Sequence, residues 1–262
     1  MYAYFENLET MKNLIHEWKR WALLGWFDIL SRYRRTFFGP LWIVLMTFIS
    51  VSSIGFVYSN IFNFPVSGFI NFVALGIIIW TLMSTALIES CTAFSTYKFI
   101  LFNHRIYPSS LIVRIVSRNL YIFFHNCLVV AFFIIFFKSP ISWNCLLTIP
   151  GILIVAAVIF SLSIFLAFAC ARFHDLSQLV SSLMGLFFLV TPVIWKPETL
   201  GHRDYIAQLN PLTHLIALIR QPILGVRPEL LDWTVSVGLF IMFSFFAWII
   251  TRTFSSKVLL WI

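Results

Sequence analysis

Residues 41–91 read LWIVLMTFISVSSIGFVYSNIFNFPVSGFINFVALGIIIWTLMSTALIESC and carry one charge, Glu89. The uncharged stretch is wider still, because 62 residues separate Arg35 from Lys98. A helix crosses the hydrocarbon of a bilayer with about 20 apolar residues, so this stretch is too long for one crossing. Asn60, Asn63, Pro65 and Gly68 mark a turn inside it. Two spans follow, near 40–60 and 70–93.

The same count of gaps between charges predicts four more. Arg118 and Lys138 bracket a span near 117–137, and the stretch up to Arg172 holds another near 146–170. Asp175 and Lys196 bound a fifth, near 177–195, and the sixth lies near 232–251. Tyr205–Ile219 is uncharged but too short to cross and is broken by Asn210-Pro211, so it reads as a re-entrant or interfacial helix. The predicted fold is an all-α integral membrane protein. It has six transmembrane helices, an N-terminal amphipathic interfacial helix, and short re-entrant external helices between spans five and six. Residues 1–262 form a single domain, without repeats or linkers.

Composition agrees. The 262 residues are 60% apolar and 11% charged, with a mean hydropathy of +0.93; soluble domains run near 45–50% and about 25%. So few charges exclude a polar-coated globule. The formal net charge is +8, which in so apolar a chain suits anionic lipid headgroups rather than nucleic acid. Thirteen cations, from Lys12 to Arg35, Lys98 to Arg118, and Arg172, Arg252 and Lys257, fall on one side of the predicted topology. The other side has Lys138, Lys196, Arg203, Arg220 and Arg227. The positive-inside rule makes the first side cytoplasmic, with both termini there. The start of the chain is acidic and lacks a basic n-region, which predicts no cleavable signal. Cys91, Cys127, Cys145 and Cys170 have no paired spacing and read as buried thiols.

Residues 10–35 are too charged to span. Leu14, Ile15, Trp18, Trp21, Ala22, Trp26 and Ile29 share one helical arc, with Lys12, His16, Lys19 and Arg20 opposite and Asp28 near the boundary. Such a helix lies flat in the cytoplasmic interface, either as a simple anchor or as a brace against a partner. Arg32-Tyr33-Arg34-Arg35 then makes a basic stop, and Gly39-Pro40 opens the first span, since Pro suits a first helical turn.

This run, Arg-Tyr-Arg-Arg-Thr-x-x-Gly-Pro-Leu-Trp, resembles the start of the polysaccharide-export permeases of ABC transporters, which serve O-antigen, capsule and teichoic acid. Ala171-Arg172-Phe173-His174-Asp175-Leu176 resembles the family's short cytoplasmic turn between spans four and five, though His174 stands where the family often has Arg. Thr191-Pro192-Val193-Ile194-Trp195 resembles its end of span five. Asn210-Pro211-Leu212-Thr213-His214 resembles the opening of its external gate helix, which assigns Asn210 and Pro211 to that gate. The resemblance runs in order from about residue 14 to 250.

The loop 97–108 is unusually apolar for a cytoplasmic loop. It either dips into the interface or is covered by another protein. The resemblance implies the second: an ATPase-docking surface of Phe99, Leu101, Phe102, Asn103, His104, Arg105, Tyr107 and Pro108, joined by Arg172 and Asp175. It also implies a homodimer of this chain, two copies of a separate ABC ATPase, a lipid-linked polysaccharide substrate, and a place in the bacterial inner membrane. No Gly is followed by Lys, so a Walker A loop is absent. No cofactor is expected on this chain; ATP and Mg would sit on the partner.

Metalloprotease and serine-hydrolase signatures are missing too. His125, deep in span three, reads as a helix-packing hydrogen-bond partner. Glu89 reads as a hydrogen-bonded or snorkelling carboxylate near the cytoplasmic end of its span. Aromatic faces stack on sugar C–H faces, which makes Tyr58, Trp80, Tyr121 and Trp195 candidates for a half-wet channel lining. The competing class is a membrane acyl- or glycosyltransferase of a cell-surface polysaccharide pathway. It would want paired acidic or His/Asp groups, for which Asp175 beside His174 and Asp204 near His202 are the candidates. The first pair reads instead as a loop salt bridge and the second as a polar external turn.

Overall fold

The structure, a computed structural model, describes residues 9–103, 106–203 and 205–261. Its long helices are α1 (Glu9–Arg32), α2 (Leu41–Ile61), α3 (Val66–Cys91), α6 (Pro108–Phe136), α7 (Thr148–Arg172), α8 (Asp175–Val190) and α11 (Leu230–Phe254). Shorter ones are α4 (Ala93–Thr96), α5 (Lys98–Asn103), α9 (Tyr205–Leu209) and α10 (Pro211–Ile223). Among the described residues, five helices are long and apolar enough to cross a membrane. The apolar α8 is shorter.

The bundle is built around α3. Seventeen of its residues are buried, from Phe69 to Cys91, because α2, α6, α7, α8 and α10 all pack on it. A helix apolar all round is the sequence form of such a central position. By contrast α8 has no buried residue.

Three boundaries depart from the sequence reading, each for a physical reason. The third span begins at Pro108 rather than near 117. Arg114 and Arg118 had marked its edge, but both lie inside the helix, paired with acids from other helices. The helix at the predicted fifth span, α8, ends at Val190 rather than 195. Thr191 is extended (φ −81°, ψ 137°), as expected of a residue whose successor, Pro192, disfavours the α region. The uncharged stretch after it divides into α9 and α10 at Asn210, and α10 runs on to Ile223.

The N-terminal helix also differs in its contacts. Its apolar arc is not simply laid in the interface: Trp21 and Ile29 are buried, and α1 packs along α6. Gly25 allows this, since a Cβ there would stand 2.7 Å from the Arg114 carbonyl oxygen. A second apolar side of α1, with Leu23, Leu24, Phe27 and Leu30, stays exposed, which keeps an interfacial position available to the helix. Between α1 and α2 the chain turns through Arg35 (φ 72°) and Gly39 (φ 55°). Nothing lies within 4 Å of a Cβ at Gly39, so that glycine serves the left-handed turn rather than a close approach.

Candidate functional site

Two constellations sit at opposite ends of the bundle. The first joins α1, α3 and α6 near the end where α3 runs into α4 and α5. Arg114 Nε donates to Asp28 Oδ2 at 2.8 Å and its Nη2 to Oδ1 at 2.5 Å, a two-pronged bond from α6 to α1. One turn on, Arg118 Nη2 donates to Glu89 Oε2 on α3 at 2.7 Å, while its Nη1 is 3.5 Å from Asp28. Asn119 Nδ2 also donates to Glu89, at 2.7 Å, and Thr85 Oγ1 donates to Asn119 Oδ1 at 2.6 Å. The Arg114 guanidinium lies 4.7 Å from the Tyr97 ring centroid. Asp28, the residue that spoils the amphipathic pattern of α1, is therefore its bolt. Charge-assisted bidentate pairs are the strong class of hydrogen bond, so α1, α3 and α6 form one body here.

Trp26 extends the seam, stacked on His125 at 5.5 Å and edge-on to Tyr121 at 5.7 Å. The Nδ1 of His125 contacts the Tyr121 carbonyl at 2.7 Å. His125 thus has the packing partners expected of a helix-interface histidine. The phenol of Tyr107, just before α6, is pushed up by burial and, secondly, by the Glu17 carboxylate of α1.

Beyond this seam lies α5. Phe99 (76% exposed) and Phe102 (56%) point outward, while Leu101 and Pro108 are buried. Asn103 is exposed and donates to the Phe99 carbonyl at 2.9 Å. His104 and Arg105 lie outside the described residues. A cavity of about 310 Å³ opens beside α5, bounded by Leu101, Phe102, Ile106 and, from the C-terminal turn, Val258 and Leu259. That C-terminal wall lies more than 150 residues along the chain from Ile106 in the apolar loop, beyond the reach of any local sequence pattern. Arg172 joins the same end, its guanidinium 5.7 Å from the Trp261 ring. Asp175 is exposed, and among the described residues no ion pair joins it to His174, so the expected loop salt bridge is not there. Asp204 lies outside the described residues. Arg32, Arg34 and Arg35 are exposed and Tyr33 half-buried. Trp18 meets Phe160 of α7 edge-on at 5.7 Å.

The second constellation is at the end where α3 begins. Here α10 re-enters the bundle between α3, α7 and α11. Asn210 caps it, its Oδ1 accepting from Leu212 N–H, and Pro211 occupies the first helical position. The Nδ2 of Asn210 donates to Thr191 Oγ1 at 2.8 Å. Arg220, buried, donates from Nη1 to the Pro192 carbonyl at 2.6 Å and stacks 4.0 Å from the Phe72 ring centroid. Lys196 lies 4.7 Å from the Phe64 ring centroid. Two glycines permit the fit. A Cβ on Gly76 would run into the Val193 carbonyl oxygen, and one on Gly151 would stand 2.5 Å from that of Leu218.

On the other flank, His214 Nδ1 is 2.6 Å from Asp232 Oδ1 and its Nε2 is 2.8 Å from the Gln208 carbonyl. A His–Asp pair is what a membrane transferase would need, but this one has no ring nitrogen left for a substrate proton. Both groups are buried as well, at 5% and 6% exposure. The pair holds structure together.

The four channel candidates fall in separate neighbourhoods. Trp80 is buried against Phe188 of α8, and Trp195 folds back to donate to the Leu189 carbonyl at 3.0 Å. Tyr58 packs with Phe62 beside α3, and Tyr121 sits under Trp26.

Residues 19–224 match the ABC-2 type transporter family. The chain belongs to it. A relative in Myxococcus xanthus, the O-antigen export system permease protein RfbA, is 24% identical over 192 residues, covering 72% of this chain and 74% of that protein. The family match begins inside α1 and ends just after α10, so it takes in the first constellation and the second apart from Asp232. Membership makes the chain the membrane subunit of an ABC transporter, and implies an ABC ATPase as its partner and lipid around its helices. The fold class read from the sequence, an all-α integral membrane protein, agrees with this membership.

Proposed function

We propose that this chain is the permease half of an exporter that carries a lipid-linked polysaccharide, such as O-antigen or capsule, across the bacterial inner membrane. The observation that carries this reading is the family match over residues 19–224 together with similarity to an O-antigen export permease. Two copies of the chain pair, and two ATPase subunits dock on α5 with the neighbouring Arg172 and Asp175. ATP and Mg bind on those subunits, while this chain binds no cofactor. Both termini face the cytoplasm. The helix α10 with Asn210 and Pro211 closes the outer end, and aromatic side chains contact the glycan.

Surface chemistry supports the ATPase contact and the pairing of two copies. Phe99 and Phe102 are large apolar groups left uncovered at one end of the bundle, and such groups gain from burial by another protein. On α8 every residue is at least partly accessible. Leu179, Leu183, Leu186 and Val190 share one face, and Gln178, Ser181, Ser182 and Gly185 another. A second copy against this helix buries the apolar face and leaves the small polar one beside a wet passage. In the ATP cycle, force received at α5 and α1 passes through Asp28, Arg114, Arg118 and Glu89 into α3.

The test is twofold. Tagged protein purified from native membranes brings down an ABC ATPase, and deletion of the gene leaves finished glycan inside the cell. Purification without any ATPase, or normal surface glycan after deletion, overturns the proposal.

A further inference from the structure

We propose that Cys91 of α3 and Cys170 of α7 form an oxidant-sensitive dithiol site, which a hydroperoxide closes into a disulfide between the two helices. That this end of the bundle meets an ATPase, so that the bond restrains a transport cycle, rests on the function proposed above; the dithiol site itself does not.

Both cysteines line one small cavity of about 80 Å³, where α3 passes into α4 and α7 passes into α8. The Cys91 thiol donates to the Leu87 carbonyl at 3.3 Å, an ordinary back-bond within its own helix. Its contact with the Cys170 thiol, also a hydrogen bond, is the one that crosses between helices. The backbone around the pair is held in place. Phe94 of α4 meets Phe168 of α7 edge-on at 5.1 Å, and both rings are buried. Neighbouring buried residues are small, Ser90 and Ala93 beside Cys91, and Ala167 and Ala171 beside Cys170. Such residues let packed helices approach closely, and close approach is what a disulfide requires, with Cα atoms within about 7 Å.

The two thiols are buried, at 7% and 3% exposure, yet they are not sealed in an apolar core. Thr92, Ser95, His174 and Ser177 complete most of the cavity wall, and the first three are exposed. A polar cavity of this kind admits water, and hydrogen peroxide is little larger. A bulky thiol such as glutathione does not fit. Cys127 on α6 and Cys145 in the turn before α7 do not line this cavity, so no third thiol competes within it.

The reaction balances with one peroxide. One sulfur attacks the O–O bond and becomes a sulfenic acid, and its proton leaves in the water released. The second sulfur then attacks the first, the S–S bond forms, and the hydroxyl departs with the second proton as another water. Two thiols are oxidised to a disulfide while the peroxide is reduced to water. In the cytoplasmic orientation proposed above the pair rests reduced, so the bond responds to oxidant rather than bracing the fold permanently.

The test uses the full-length protein in nanodiscs, treated with hydrogen peroxide, alkylated with N-ethylmaleimide and digested without reductant. Mass spectrometry is expected to find a peptide pair joined through Cys91 and Cys170, with maleimide labelling lost at both positions together. Dithiothreitol restores both labels, and Cys145 remains labelled throughout. Cys91→Ser and Cys170→Ser are each expected to lose the linked pair. Two free thiols at 91 and 170 after excess peroxide overturn the proposal. So does their separate conversion to sulfinic acid, or pairing with Cys127 or Cys145. The deciding measurement is on the wild type, so a poorly folding variant does not blunt it. No glycan or ATPase enters it, which keeps its outcome separate from the transport reading.

Discussion

Arg118 of α6 and Glu89 of α3 meet at 2.7 Å, and the same guanidinium lies 3.5 Å from Asp28 of α1. One side chain therefore touches acids on two other helices. With Arg114 bonded to Asp28 through two nitrogens, α1 is attached to the membrane bundle by charge as well as by packing.

Asp28→Asn is expected to loosen α1. The lost charge-assisted bonds correspond to about 1–3 kcal/mol, read as a lower melting temperature in detergent. A double-mutant cycle with Arg114→Gln checks the attribution. A coupling energy near zero would sever the link between these two residues.

Glu89→Gln is expected to be mild. The amide oxygen still accepts from Arg118 and Asn119, and Asp28 still offers charge to Arg118. Surface glycan remains near the wild-type level, whereas Glu89→Leu, which removes both acceptors, lowers the amount of folded protein. Complete loss of export in well-assembled Glu89→Gln would instead mean that the carboxylate takes part in transport.

Gly76→Ala and Gly151→Ala are expected to destabilise the α10 end, because each new methyl meets a backbone carbonyl. Overpacking of this kind costs about 1–3 kcal/mol. Gly185→Ala and Gly238→Ala, where nothing lies within 4 Å of the added carbon, are the matched controls. Protease resistance of the 191–229 region in membranes distinguishes the pairs.

Phe99→Ser with Phe102→Ser is expected to leave the bundle stable, since both rings are already exposed, and to reduce ATPase co-purification sharply. Retention of the ATPase at wild-type levels would move the docking surface elsewhere.

Arg220→Lys is expected to behave almost like Arg220→Met. A point-charge ammonium does not reproduce a planar group that both stacks on Phe72 and reaches the Pro192 oxygen. The readout is the melting temperature of the purified protein.

The apolar stretches were legible because a bilayer demands long uncharged helices, and Pro40, Pro65 and Asn210 punctuate them in one-dimensional order. The Asp28–Arg114 and Arg118–Glu89 pairs were not, because their partners lie 86 and 29 residues apart in the chain. Arg114 and Arg118 resemble loop residues by charge alone, which hides the first turns of α6. A signal did exist: two arginines four apart at the start of an apolar run, and an aspartate on the wrong side of an amphipathic helix. The His214–Asp232 contact left no such trace. Asn210 and Pro211 were legible through their capping chemistry, whereas Gly76 and Gly151 matter only for what stands opposite them.

The early stop of α8 at Val190 has a consequence for the membrane itself. Sixteen residues rise about 24 Å, against about 30 Å of hydrocarbon. As the fifth span of the proposed exporter, α8 would require the bilayer to thin around it or water to reach its end. Either response costs fractions of a kcal/mol per Å of mismatch, so acyl-chain length becomes a control on the protein. Longer lipids penalise states that expose α8, and shorter lipids favour them.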